Sequence, residues 1–161
     1  MPDFLKKVVR DKSGELRPDE QYLAATYAQP AGSFARSVGF GAGGLVGAAV
    51  AGRSGKKRKE ELGGADEAGA AAGFPDGNVV MALTAQRLLV FGHGALKGNP
   101  TDLLAEMPLG EVHEMTLEKR RAHSSLKIRF SDNSVRDFDV VKGAKPEPFV
   151  AAFGAAKGST T

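Results

Sequence analysis

NVVMALTAQRLLVF, Asn78 to Phe91, is the stretch on which the fold turns. Asn78 to Thr84 is a short apolar run, and Gln86 to His93 is a second, rich in Leu, Val and Phe. Ala85 sits between them in a tight connection. Runs this short, bounded by turn residues, read as buried strands of a hairpin. Phe74-Pro75-Asp76-Gly77 ahead of them is a strong turn signal.

Downstream, the texture stays the same. Gly94 to Asp102 holds Gly98, Asn99 and Pro100 and reads as a loop. Leu103, Ala105, Met107 and Leu109 then alternate with Glu106. From Val112 to Lys119, Met115 and Leu117 alternate with Glu114, Thr116 and Glu118. Leu126, Ile128 and Phe130 alternate with Lys127 and Arg129, Asp132-Asn133-Ser134 forms a hairpin turn, and Val135 to Val140 closes the set. A period of two, repeated with turns at short intervals, predicts six strands in an antiparallel sheet, sandwich or small barrel. Pro146 suits the first turn of a helix, and Phe149, Val150 and Phe153 give that helix one apolar stripe. Laid over the mouth of a small barrel, the helix would bury the stripe.

Upstream, Phe4-Leu5 and Val8-Val9 recur four apart with Lys6, Lys7 and Arg10 between, which predicts a short amphipathic helix. Asp19 to Ala28, with Tyr22, Leu23 and Tyr27, reads as a second short helix broken by Pro30 and Gly32. Residues 33 to 52 are glycine and small apolar residues, followed by Arg53, Lys56, Lys57, Arg58 and Lys59. Many of the 21 glycines fall between residues 32 and 77. The expected layout is therefore short N-terminal helices over 1–32, a glycine-rich segment with a basic end over 33–59, and an Ala/Gly-rich linker over 60–77. A β domain with a closing helix follows over 78–157, then a disordered tail over 158–161.

Two phosphate-loop patterns lie in the glycine-rich segment. Gly39 to Gly44 fits GxGxxG, and Gly47 to Ser54 approaches GxxxxGK[ST] with Arg53 in place of the lysine. Both motifs need a strand ahead of the loop, and no strand is expected there. The four-residue spacing is the better guide. Gly39, Gly43 and Gly47 form one row on a helix, and Gly44, Ala48 and Gly52 form another. Such small-residue faces let helices approach closely, as in membranes. Glycine costs up to about 1 kcal/mol each in an exposed helix. The segment is thus expected to be a helix packed on protein or lipid, against the alternative of a flexible linker. The basic residues behind it suit an anionic membrane surface.

Formal net charge is +3 in 161 residues, a mild bias that permits but does not require anionic partners. Cysteine is absent, which excludes disulfides, thiolate metal sites and thiol catalysis. Met1 to Arg10 is too polar for a secretory signal, so a cytoplasmic location is expected, peripheral at the inner face of the membrane if the glycine segment touches lipid. The spacing of His93, His113 and His123 suits no compact metal site, and Asp137 and Asp139 read as a solvated strand face. Lys119, Arg120 and Arg121 at a hairpin tip, with Lys127 and Arg129 on the next strand, form a candidate anion-facing patch. Glu114 and Glu118 dilute it, and no aromatic platform interleaves it, which argues against nucleic acid.

The hairpin Asn78–Phe91 resembles that of the bacterial pleckstrin-homology-like (GRAM-like) domains, in which a strand ending Leu-Thr, a short turn with Arg and a strand reading Leu-Leu-Val-Phe open the fold. Met107-Pro108-Leu109 with Val112, Leu126 to Phe130 with Asp132-Asn133, and the Phe149/Phe153 helix resemble its later steps, over about residues 78 to 156. The whole layout resembles small proteins of high-GC, actinobacterial-type bacteria. The resemblance implies a small antiparallel barrel capped by a C-terminal helix, preceded here by an N-terminal helical and glycine-zipper-like part. It names no ligand, because this fold serves many ends. Phosphoinositide-binding members carry several basic residues in a long first hairpin loop. Ala85-Gln86-Arg87 is short and has one Arg, so no head-group pocket is expected at that turn. The expected role is non-enzymatic: a membrane-peripheral or protein-interaction module, alternatively a soluble protein-binding domain whose glycine segment is a linker or a packed helix. The partner would be an anionic membrane surface or another protein, with homo-oligomerisation compatible. No cofactor, metal or small-molecule substrate is expected.

Overall fold

The computed structural model describes residues 3–33, 69–94 and 98–159. Its order is helix α1 (Phe4–Asp11), strand β1 (Ala24–Pro30), β2 (Val79–Leu83), β3 (Arg87–His93), β4 (Pro100–Pro108), β5 (Val112–Lys119), β6 (His123–Phe130), β7 (Val135–Val141) and helix α2 (Pro146–Ser159). The fold is mainly β: a seven-stranded antiparallel open sheet in the order β4-β3-β2-β1-β7-β6-β5, with a C-terminal helix. All six expected strands are present, and Pro146 opens α2. Strand β4 begins at Pro100, inside the stretch read as a loop, and α2 runs on through residues 158 and 159, read as tail.

The seventh strand corrects the sequence reading. Ala24–Pro30 is a strand, and the second N-terminal helix does not form. Residues 24–28 pair with β2, from Ala24↔Leu83 to Ala28↔Val79, while Gln29 and Pro30 pair with Asp139 and Phe138 of β7. One strand therefore joins a four-stranded half to a three-stranded half. The hairpin Asn78–Phe91 is β2–β3 and does not open the sheet.

Helix α1 forms as expected. Asp3 caps it by accepting from the Lys6 backbone N–H at 3.2 Å, and Phe4 and Val8, four apart, are its buried residues. It packs on β1, β2 and β4, while α2 packs on β1, β2 and β5 and buries Phe149 and Phe153. Every residue of β2 is consequently buried. Strand β6 instead alternates, with Leu126, Ile128 and Phe130 inward and Lys127 and Arg129 outward.

The end of the expected 60–77 linker belongs to the domain. Gly69–Gly73 is a 3₁₀ turn whose Ala70 and Ala71 N–H groups donate to Asp132 Oδ2 (2.8 Å) and Ser134 Oγ (3.1 Å) of the β6–β7 turn. The buried Phe74 ring lies 5.6 Å from Phe130 and 5.5 Å from Phe138. Asn133, at φ 69°, supplies the left-handed residue of the β6–β7 turn. The chain thus leaves β1 opposite Phe138 and returns against Phe138.

Candidate functional site

The glycine rows Gly39/Gly43/Gly47 and Gly44/Ala48/Gly52, and the basic residues Lys56, Lys57, Arg58 and Lys59, lie outside the described residues. So do both phosphate-loop patterns. Contrary to expectation, strand β1 does precede those patterns. It pairs with the next strand, β2, as antiparallel neighbours, whereas the dinucleotide fingerprint belongs to a parallel βαβ unit.

Lys119, Arg120 and Arg121 are brought together at the β5–β6 hairpin tip, closed by the Arg120 N–H donating to the His123 carbonyl at 2.9 Å. Most cations of this region have an anion or a backbone contact nearby. Lys119 lies 3.8 Å from Glu147 at the start of α2, and Arg120 lies 3.8 Å from Glu118. Arg129 pairs with Glu114 at 2.6 Å, and Lys142 Nζ donates to the Arg121 carbonyl at 3.0 Å. Lys127 stands opposite Asp137 in the β6–β7 register. Exposed pairs of this kind contribute little to stability, and they lower the net field that an anion would meet.

Arg87, the lone basic residue of the β2–β3 turn, is instead inside the protein, at 5 % exposure. Its guanidinium donates to Glu20 through Nε (3.0 Å) and Nη2 (2.9 Å), to Glu106 through Nη1, and to the Glu15 carbonyl at 2.6 Å. Thr84 Oγ1 donates to Glu20 Oε1 at 2.7 Å and accepts from the Arg87 backbone N–H at 3.1 Å. The bonds from Arg87 hold the Glu20 carboxyl down at about 2, against 4.5 for a free glutamate, despite the burial that opposes it. Burial, helped by Glu15, pushes the Tyr22 phenol in the same segment up to about 12, and its O–H donates to the Lys12 carbonyl at 2.7 Å. This network straps residues 12–23 across the β2–β3 turn. Sequence reasoning missed it because Glu20 lies 67 residues from Arg87. The single signal was an Arg beside an all-apolar strand.

Two of the histidines sit in organised surroundings. His123 opens β6, with Nε2 3.6 Å from Asp139 Oδ1, and Asp139 is buried rather than on a solvated face. The neighbouring Ser124 points inward, and its Oγ has no hydrogen-bond partner among the described residues. His93 ends β3 with its ring 4.3 Å from that of Tyr27 and 6.4 Å from that of Phe4. An open apolar groove of about 320 Å³ runs between α2 and the β2–β3 turn, lined by Leu23, Ala85, Ala152, Ala155 and Ala156. Among the described residues no group of three His, Asp or Glu side chains is placed to hold a metal ion, and no helix is long and apolar enough to cross a membrane. No protein-family model matches the chain, and no curated protein matches it.

Proposed function

We propose that the protein is a pleckstrin-homology-like domain that attaches peripherally to an anionic membrane surface through the long connection between β1 and β2, and that it is not an enzyme. One observation carries this reading. The first connection of the sheet is residues 31–78, not the tight turn at Ala85, and it contains Arg53, Lys56, Lys57, Arg58 and Lys59. In the domains that the chain resembles, members that bind phosphoinositides have a long first hairpin loop rich in basic residues. With β1 in place, the Ala85 turn is the second connection of the sheet, and its shortness says nothing about the first. The strand order, with a helix after β7 packed on both halves of the sheet, supports the same fold assignment. Each Lys or Arg near an anionic leaflet contributes about 1 kcal/mol. The glycine rows would supply close helix contact beside them.

The test is flotation with vesicles of phosphatidylcholine alone and with added anionic lipid. Full-length protein should float with anionic vesicles at low salt and less at high salt. A variant with residues 34–59 replaced by a short Gly/Ser linker should stay at the bottom while keeping its fold, since Pro30 ahead of the connection and Phe74 near its far end both lie beside Phe138. If both forms stay in the soluble fraction, the membrane reading fails. The apolar groove beside α2 favours the second reading, a soluble protein-binding domain, which that outcome would leave standing.

A further inference from the structure

We infer that α1 is an acid-released helix, held in place at neutral pH by the uncharged ring of His93. This inference is independent of the membrane reading. Three rings from three elements meet at one end of the sheet. Phe4 of α1 stacks on Tyr27 of β1 at 5.7 Å, Tyr27 lies 4.3 Å from His93 of β3, and Phe4 lies 6.4 Å from His93. The imidazole is half-buried behind the helix. Gly98, at φ +61°, passes so close that a methyl group there would sit 2.9 Å from His93 Nε2. Its carbonyl accepts from Lys7 Nζ at 3.3 Å, and that ammonium also lies 5.5 Å from the Phe4 ring centre.

Among the described residues, the groups facing His93 are the Lys7 ammonium from α1, the Tyr27 phenol from β1, whose oxygen accepts from the Gln29 amide at 2.7 Å, and backbone at Gly98. Burial lowers the proton affinity of the imidazole below the usual histidine value, and the Lys7 charge adds to it. A group with a lowered value when docked favours docking fully above its free value, near 6.5, and loses that contribution as pH falls through the docked value. An imidazolium facing an ammonium gives α1 less reason to stay. Its departure would break the Phe4–Tyr27 stack and uncover Phe4 and Val8, the helix's two buried residues. The Asp3–Lys145 pair at 3.2 Å would be lost with it.

Hydrogen exchange on the full-length protein tests this. Between pH 7.5 and 5.5, after correction for intrinsic rates, protection of residues 4–12 should fall several-fold while that of α2 stays constant. His93→Gln should keep α1 docked and abolish that difference. Linkage gives a second readout: in Phe4→Ala, with α1 loosened, the His93 ring should titrate by NMR at a higher pH than in the parent protein. Lys7→Met should also raise it. A parent His93 titrating at or above 6.5, or a protection loss that persists in His93→Gln, overturns the inference.

Discussion

Two basic centres among the described residues make a contrast: the β2–β3 turn, with one arginine, and the β5–β6 tip, with Lys119, Arg120 and Arg121 in a row. The lone arginine is the one around which the protein is organised. Arg87 is buried, and it binds two carboxylates and a carbonyl from two separate stretches. The Lys119 side chain is 71 % exposed, and its anion is 3.8 Å away. A run of charge marks where water is, whereas a single charge within an apolar run marks a place where the protein must provide the partners itself. Substitutions at the two centres should therefore differ in effect by severalfold.

The largest effect is expected at Arg87. Arg87→Met leaves Glu20, whose side chain is 1 % exposed, buried without its cation. Breaking a buried pair from one side costs about 3–5 kcal/mol. Urea denaturation should show that loss, and Arg87→Met with Glu20→Leu should recover part of it by removing the orphaned charge. If Arg87→Met is as stable as the parent, the network does not strap residues 12–23 to the sheet.

The same network sets the acid limit. Glu20 titrates at about 2 in the fold against 4.5 when free, so its lowered value stabilises the protein fully above about 4.5. That contribution is lost as pH falls from there through 2, and its full size is about 3 kcal/mol. Stability measured from pH 5 to 2.5 should fall more steeply in the parent than in Glu20→Gln. Parallel slopes would place the acid sensitivity elsewhere.

How much of this was legible depended on how many faces of each element are covered. Strands β4, β5 and β6 face water on one side, so their alternation showed in the sequence. Strand β1 packs against both helices, and its Ala24, Ala25, Thr26 and Ala28 are all buried. With both faces covered, a strand has no reason to alternate. Its alanines, needed for close packing, then imitate a helix. The Arg87 network was invisible for another reason, that its partners are 19 and 67 residues away. The patch at Lys119 to Arg121 was legible as a cluster. Its acidic neighbour Glu147 was not, because that contact depends on where α2 lands.

Ser124 offers a smaller contrast, a polar group the fold buries without serving. Its Oγ is enclosed and lacks a partner among the described residues. A buried unpaired hydroxyl costs about 1–3 kcal/mol, and its replacement by a methyl removes that cost at a small loss of contact. Ser124→Ala should raise the stability of the three-stranded half by about 1 kcal/mol, read as an increase in the urea midpoint at unchanged slope. A decrease would mean that the hydroxyl has a partner in solution.

The smallest effect is expected at the tip itself. Replacing Lys119, Arg120 and Arg121 by Gln removes two exposed pairs with 3.8 Å separations, each contributing at most about 0.5 kcal/mol. The triple variant should unfold within about 1 kcal/mol of the parent, because the hairpin is closed by the backbone bond from Arg120 to His123. Its vesicle binding should also match the parent's, since Glu147 and Glu118 already offset Lys119 and Arg120 at the tip. Loss of flotation in this variant, with the β1–β2 connection intact, would move the membrane-facing surface to the β5–β6 tip and reverse the ranking of the two basic regions.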